Sequence, residues 1–495
     1  MGNKILKKIF FNLIITILTS LLSFMVNKYF ANYMGIEKLG LMKLFTQIMA
    51  YLNLVDMGIA SASTYALYEP LYKKNIERIS IIINTITSLY NKVFFFIIII
   101  GLLINPIIPF FIKDNIFSKD IYLYWSLYVI NTAITYLFVK YSILFTANQE
   151  FLYVRMIQGI SKIFYQILQI IVIIKIQSFL GFIFLLILDN ITQYIFYKYH
   201  YKKYYSHIVK THEKDKNISK NLKNLFWHKI GGLVVFNTDL ILISKFISLE
   251  IVGIYASYQM IEQMILIILS IILNVLRPMI GKYIAIHTKE EIYNYWKKLN
   301  ILFLSISIIF SCCTYYLING FVSLWLGRNY IFSDITVLLI CINLFIRCFR
   351  NVTDIFKGGS GFFDDIHLPI AEAAINFASS LILVFYLGLN GVIIGTILSN
   401  ILIICIAKPL LVFKRCFNKD YKEYIKVYGN YLLLVIFSLV LSKFLLNYIP
   451  TIEIYTWIDW LKEAVLVSSI ISTVTLIIFV FDKDFREGIS IIRRK

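Results

Sequence analysis

Arg347 and Arg350 stand three residues apart in an otherwise apolar run, and Asp354 follows four residues after the second arginine. On a helix, residues three apart lie on nearly one face, so the two guanidiniums sit side by side. Guanidinium stays charged and forks onto oxyanions. The chemistry this pair suits is the holding of a diphosphate. The same spacing also allows an i, i+4 ion pair between Arg350 and Asp354, and both readings stand at this point. Further ionisable groups within apolar stretches are Lys28, Asp56, Lys140, Arg155, Lys162, Lys175, Asp189, Asp239, Lys245, Glu262, Arg277 and Glu372. Such groups are costly in hydrocarbon and by default mark a pathway. Lys28, Lys140, Arg155, Lys175, Lys245 and Arg277 stand near the ends of their runs, where long side chains also snorkel to the interface. Asp56, Asp189, Asp239 and Glu262 stand deep, where each needs a bound proton, a cation or a basic partner. That is the behaviour of an ion-coupling group, and equally of a buried pair that fixes helix packing.

The elements that must position these groups are membrane helices. Hydrophobic residues make up 59% of the 495 and charged residues 15%, against about 45–50% and about 25% in soluble domains. A water-soluble enzyme is excluded. The formal net charge is +20, but the basic residues lie between apolar runs instead of forming one patch, which argues against nucleic acid as a partner. Runs long enough to cross about 30 Å of hydrocarbon fall at 9–30, 41–65, 93–112, 122–145, 152–176 and 179–199, then, after a polar segment, at 224–246, 250–276, 299–319, 332–356, 366–387 and 391–413, with two more at 424–446 and 457–481. The fold expected is an all-α polytopic membrane protein of about 14 helices. Its parts are a six-helix bundle over 1–199, a basic cytoplasmic linker over 200–223, a second six-helix bundle over 224–413, and two further helices with a basic tail over 414–495.

Lys and Arg in short loops set orientation. Placing the amino terminus in the cytoplasm puts Lys73, Lys74, Arg78 and Lys92, the linker lysines, Lys282, Lys289, Lys297 and Lys298, and Lys414, Arg415, Lys419 and Lys422 all inside. Both termini are then cytoplasmic. Lys4, Lys7 and Lys8 precede the first run with no small-residue cleavage site, which reads as an uncleaved first span. The outer loops are too short to house the extracytoplasmic domain that a glycan-building enzyme needs. No P-loop, Rossmann fingerprint, nucleophile elbow or HExxH helix occurs, so neither an enzyme nor a resident cofactor is expected. The six cysteines lack paired or metal-ligand spacing. Lys357-Gly358-Gly359-Ser360-Gly361 reads as a flexible turn between helices, and His228 and His367 as interfacial residues. Tyr122, Tyr124, Trp125, Tyr128, Trp457 and Trp460 fit interfacial belts, with stacking on sugar rings as the second reading.

The chain also repeats. Gly35-Ile36-Glu37-Lys38-Leu39-Gly40-Leu41 aligns with Ser248-Leu249-Glu250-Ile251-Val252-Gly253-Ile254 at an offset of 213 residues, placing Glu37 on Glu250, Gly40 on Gly253 and, beyond them, Phe45 on Tyr258. The match joins the first and second spans of each half, as a duplicated transporter requires.

The stretch Asn32-Tyr33-Met34-Gly35-Ile36-Glu37-Lys38-Leu39-Gly40-Leu41, then Leu44-Phe45, Asp56-Met57-Gly58-Ile59-Ala60-Ser61-Ala62 and Leu67-Tyr68, resembles the opening of bacterial polysaccharide flippases of the Wzx type. These belong to the multidrug/oligosaccharidyl-lipid/polysaccharide exporter superfamily. Ala147-Asn148-Gln149, Thr238-Asp239 with Ile243-Ser244, Val252-Gly253-Ile254-Tyr255 and Leu389-Asn390-Gly391-Val392-Ile393-Ile394-Gly395-Thr396 continue the resemblance in order. It implies a V-shaped, MATE-like pair of six-helix bundles around a central cavity, plus two carboxyl-terminal helices. It also implies a function: moving undecaprenyl-diphosphate-linked oligosaccharide to the outer leaflet of the bacterial cytoplasmic membrane by alternating access, for capsule or O-antigen synthesis. Membrane lipids, and the polymerase and chain-length machinery, are the partners this implies. Substrate binding is expected at Arg347, Arg350, Lys28, Lys140 and Arg155, although Lys28 stands where relatives often have Arg. Ion coupling, to a proton or sodium, is expected at Asp239, Glu262 and Asp56. A multidrug exporter of the same fold is the alternative, with an acidic cavity as its signature; a membrane glycosyltransferase or polymerase comes after it.

Overall fold

A computed structural model of the protein describes residues 2–56, 59–113, 120–209, 211, 213, 215, 238–362, 365, 367–448 and 452–493. The regular structure among the described residues is helical, and the chain divides into two compact units, Met1–Gly253 and Ile254–Lys495. The first unit holds α1 (Gly2–Met34), α2 (Ile36–Leu52), α3 (Ile59–Tyr72), α4 (Ile76–Leu103), α5 (Asp120–Ala147), α6 (Phe151–Lys175), α7 (Phe179–Tyr204), α8 (Asp239–Phe246) and the first turn of α9 (Leu249–Ile286). The second holds the rest of α9, then α10 (Lys289–Trp325), α11 (Asp334–Phe349), α12 (Asn351–Gly359), α13 (His367–Leu387), α14 (Leu389–Ser399), α15 (Lys408–Val412), α16 (Tyr421–Asn447), α17 (Trp457–Val480) and α18 (Lys483–Arg493).

Among the described residues, twelve segments are long and apolar enough to cross a membrane. The expected second, third and seventh spans differ from the rest. The third, expected at 93–112, runs over Ile76–Leu103, because the Asn75 side chain caps its start and the proline-containing 3-10 stretch Asn105–Phe111 follows its end. The second is broken into α2, 17 residues, and α3, 14 residues, around a 3-10 turn at Asn53–Asp56. Asn and Asp compete with the backbone for hydrogen bonds and weaken a helix interior. Here the Tyr136 hydroxyl of α5 donates to Asn53 Oδ1 at 2.9 Å and pins the break. Of the seventh span, α8 is its described part; residues 224–237, His228 among them, lie outside the described residues.

Glycines decide where helices approach most closely. A Cβ on Gly40 would fall 1.9 Å from the Leu249 carbonyl oxygen, and one on Gly253 would fall 2.4 Å from that of Ile36. The two glycines of the internal repeat thus pack on one another, backbone to backbone, where α2 meets the start of α9. Close approach of this kind needs small residues. Gly391 and Gly395 do the same for the α13–α14 hairpin, where the Ser380 hydroxyl also donates to the Val392 carbonyl at 3.0 Å.

Helices α9 and α10, 38 and 37 residues long, run about 55 Å each at 1.5 Å per residue, well beyond the hydrocarbon. The expected spans 250–276 and 299–319 stopped where lysines begin, but a charged interface does not end a helix. What starts α10 is the capping box of Thr288 and Glu291. The last helix, α18, packs on α10 through buried Phe485 and through Gly488, whose Cβ would meet the Lys298 carbonyl at 2.8 Å; Lys298 in turn reaches Glu487 at 2.8 Å.

Candidate functional site: ion pairs inside the second unit

Ser333 caps α11, which carries Arg347 in its last turn; Arg350 joins α11 to α12 with helical backbone angles. The two arginines therefore keep the one-face relation expected from their spacing, yet they turn to different acids. Arg347 Nη1 lies 3.2 Å from Oε2 of Glu262, a buried residue on α9. Arg350 Nε donates to Asp354 Oδ2 at 3.0 Å, and its Nη1 stands 3.8 Å from Oε1 of Glu372 on α13. The other oxygen of Asp354 accepts from Lys408 Nζ at 2.8 Å. Glu372 Oε1 is buried and has no hydrogen-bond partner.

The electrostatics follow from this geometry. Arg347, Arg350 and Lys408 face Glu262, Asp354 and Glu372, and the formal charges sum to zero. Isolated charges in a low-dielectric interior cost many kcal/mol, whereas a set in which each cation faces a carboxylate can persist inside a bundle. Lys408 opens α15 directly after a π-helical stretch, Asn400–Ala407; such turns gather at functional sites. Asn400 adds a neutral contact, its Nδ2 donating to Asn343 Oδ1 at 3.2 Å. Both readings of the 347–350–354 spacing thus find a counterpart: the arginines are adjacent, and Arg350 does pair with Asp354. Lys357 is paired with Asp365 across the turn that follows α12.

The remaining expected residues lie in the first unit. Asp56 ends the turn between α2 and α3, near Tyr90 of α4 and Tyr136 of α5. Asp239 is buried at the start of α8, close enough for its charge to act on Tyr51 of α2. Lys28 and Lys140 are half-buried on α1 and α5, with the Lys140 ammonium over the Tyr141 ring at 5.1 Å, and Arg155 is exposed on α6 with its guanidinium 5.2 Å from the Phe151 ring. Several interior polar groups in this unit have neutral partners. Ser161 donates to Asp189, Gln193 donates to it at 2.9 Å, and Gln166 donates to Ser23 at 2.7 Å.

Sequence reasoning attached no role to Lys408. A lysine five residues inside the apolar run 391–413, with Pro409 after it, was the available signal; nothing in its spacing points to Asp354, 54 positions away. Glu372 was visible only as one more acid within a span.

Comparison with known proteins adds identity to geometry. Residues 5–284 match the family model described as polysaccharide biosynthesis protein. No curated protein matches. Among solved structures, the chain is similar to the lipid II flippase MurJ in an inward closed conformation, with 14% identity, a TM-score of 0.67, and 95% of this chain and 98% of that one covered. An inward-facing multidrug resistance MATE family transporter gives 12% identity and a TM-score of 0.61, covering 83% and 96%. A point mutant of the Vibrio cholerae MATE transporter VcmN gives 15% and 0.55, covering 83% and 98%. The wider coverage by MurJ amounts to about two membrane helices. The fold is the one these transporters share.

Proposed function

The chain belongs to the polysaccharide biosynthesis protein family, and from that premise we propose that it is a flippase for polyprenyl-diphosphate-linked oligosaccharide, serving the assembly of a capsule or O-antigen type of polymer. The observation that carries this reading is the set of three cations, Arg347, Arg350 and Lys408, held inside a membrane-spanning bundle by three carboxylates. The polyprenyl chain is at home in hydrocarbon; the diphosphate and the glycan are not. A carrier must replace their hydration with fixed charge and hydrogen-bond partners. Guanidinium does this bidentately for phosphate oxygens.

In this reading the carboxylates are stand-ins. While the site is empty, Glu262, Asp354 and Glu372 keep the cations from being buried alone. When a diphosphate arrives, its oxygens compete for Arg347 and Arg350, and a displaced carboxylate takes up a proton or a sodium ion. Glu262, already expected as a coupling residue, is the group Arg347 would release. Asp56 and Asp239, each beside tyrosines in the first unit, are proposed for the same coupling, and Lys28, Lys140 and Arg155 as further cationic contacts along the path. The reading includes alternating access in the bacterial cytoplasmic membrane, both termini in the cytoplasm, and delivery to the polymerase and chain-length machinery.

The test is reconstitution. Proteoliposomes loaded with a fluorescent polyprenyl-diphosphate oligosaccharide should move it between leaflets with no sugar donor present, and should do so faster than empty liposomes. Movement of organic cations in its place would point to multidrug export; consumption of a sugar donor would point to a transferase.

A further inference from the structure

The exposed faces of most spanning helices are aliphatic or phenyl: Ile160, Phe164 and Ile167 on α6, and Leu432, Ile436 and Val440 on α16. Helix α3 is different. It buries Ile59, Ser63, Leu67 and Pro70. Its opposite face, at spacings of four, three and four residues, presents Ser61, Tyr65, Tyr68 and Tyr72. The three tyrosines are 77%, 54% and 89% exposed, and the rings of Tyr65 and Tyr68 stand 6.5 Å apart, nearly perpendicular. No aliphatic side chain interrupts this strip.

An interfacial belt does not account for it. From Tyr65 to Tyr72 the helix rises about 10 Å, more than the ~5–7 Å headgroup layer on either side of a bilayer. Ser61 extends the strip about 6 Å further, where a lipid-facing helix carries an apolar side chain. The strip also ends in cations. Lys73, bridged to Glu69 at 2.6 Å, and Lys74 follow Tyr72, while Arg78, one turn into α4, is paired with Asp215 at 2.5 Å. A row of amphipathic rings bordered by ammonium groups complements the polar, ring-built glycan of a lipid-linked oligosaccharide. Each tyrosine offers a π-face to sugar C–H groups and a hydroxyl to sugar oxygens.

We propose that this face of α3 is a saccharide-binding strip, with Tyr65 and Tyr68 stacking on sugar rings of the substrate. The inference rests on the reading of the protein as a carrier of lipid-linked oligosaccharide and assigns the glycan its own contact, separate from the diphosphate cations of the second unit.

The test uses the full chain in lipid nanodiscs and two probes, undecaprenyl diphosphate bearing one N-acetylglucosamine and undecaprenyl diphosphate bearing none. Tyr65→Ala with Tyr68→Ala should weaken binding of the sugar-bearing probe about tenfold and leave the bare diphosphate unchanged. Tyr65→Phe with Tyr68→Phe, which keeps both rings, should stay close to wild type. If the alanine variant keeps wild-type affinity for the sugar probe, or loses both probes equally, the strip is refuted while the carrier reading stands. If the wild-type protein binds neither probe, the carrier reading itself fails and takes the strip with it. Water access is a second, independent readout. Ser61→Cys and Tyr65→Cys should react with a membrane-impermeant maleimide above the background of the six native cysteines, and Ile436→Cys should not. Unreactive thiols at 61 and 65 would make this a lipid face and overturn the proposal.

Discussion

Asp189 and Asp354 are both carboxylates on membrane-spanning helices, and the two units satisfy them in opposite ways. Asp189 accepts from the Ser161 hydroxyl and the Gln193 amide, both neutral. Asp354 accepts from Arg350 and Lys408, both charged. A neutral set of this kind holds helices together and can be exchanged for another neutral set at small cost. A charged set is stable only while its members stay matched, so it responds when an outside ion competes for one of them. The Asp354 network is therefore sensitive to a competing ion in a way that the Asp189 contacts are not.

The comparison breaks most readily at Asp354. Replacing it by Ala takes the carboxylate from Lys408 and leaves Arg350 only the more distant Glu372, at about 3–5 kcal/mol for a buried pair losing one partner. Thermal unfolding of the detergent-solubilised protein should fall sharply, or folded protein should not be recovered; an unchanged midpoint would show that the network is not buried as described. A double-mutant cycle of Asp354→Asn and Lys408→Met sharpens the point, with an expected coupling of about 1–3 kcal/mol in the same unfolding measurement. At Asp189 the effect should be smaller. Asp189→Asn keeps an acceptor oxygen for Ser161 and Gln193, so its cost should stay near ~1 kcal/mol, with translocation close to wild type. Loss of transport in that variant would erase the distinction between the units.

The smallest effect belongs at the carboxyl-terminal helix. There the hydrogen bond and charge of Lys298 hold the Glu487 carboxyl below its ordinary range. A folded-state value below the unfolded one means stability that is present above the ordinary Glu range and lost as pH falls through the lowered value. Glu487 lies at the surface, where such pairs contribute little. Lys298→Met should therefore remove a slight acid-side slope in the unfolding midpoint and leave the midpoint at neutral pH almost unchanged.

Much of this was legible in the residues. Eleven of the twelve long apolar segments among the described residues stand close to where hydropathy put them, and the expected third span is displaced toward the amino terminus; in lipid a helix must satisfy its own backbone, and its composition therefore reports its environment. The Gly40–Gly253 repeat was visible as an offset, though not that the two glycines touch. Other features were hidden for physical reasons. The break at Asn53–Asp56 depends on Tyr136, more than eighty positions away. The overlong α9 and α10 continue past the lysines because nothing in water stops a helix that already has a bundle to pack on. Lys408 carries its meaning only through Asp354. The tyrosine strip on α3 was hidden among abundant aromatics, since only burial separates one helix face from the other.

The central claim is that the second unit's arginines hold the diphosphate. It is tested most directly by the charge-neutral variant Arg347→Gln, Glu262→Gln, Arg350→Gln, Glu372→Gln, which removes both guanidiniums with two of the three carboxylates facing them and keeps Asp354 paired with Lys408. Reconstituted with a fluorescent polyprenyl-diphosphate oligosaccharide, it should unfold near the wild-type temperature and translocate at least about tenfold more slowly, the loss expected when charge-assisted hydrogen bonds of about 1.5–3 kcal/mol are removed. Translocation at the wild-type rate by that folded variant would contradict the account.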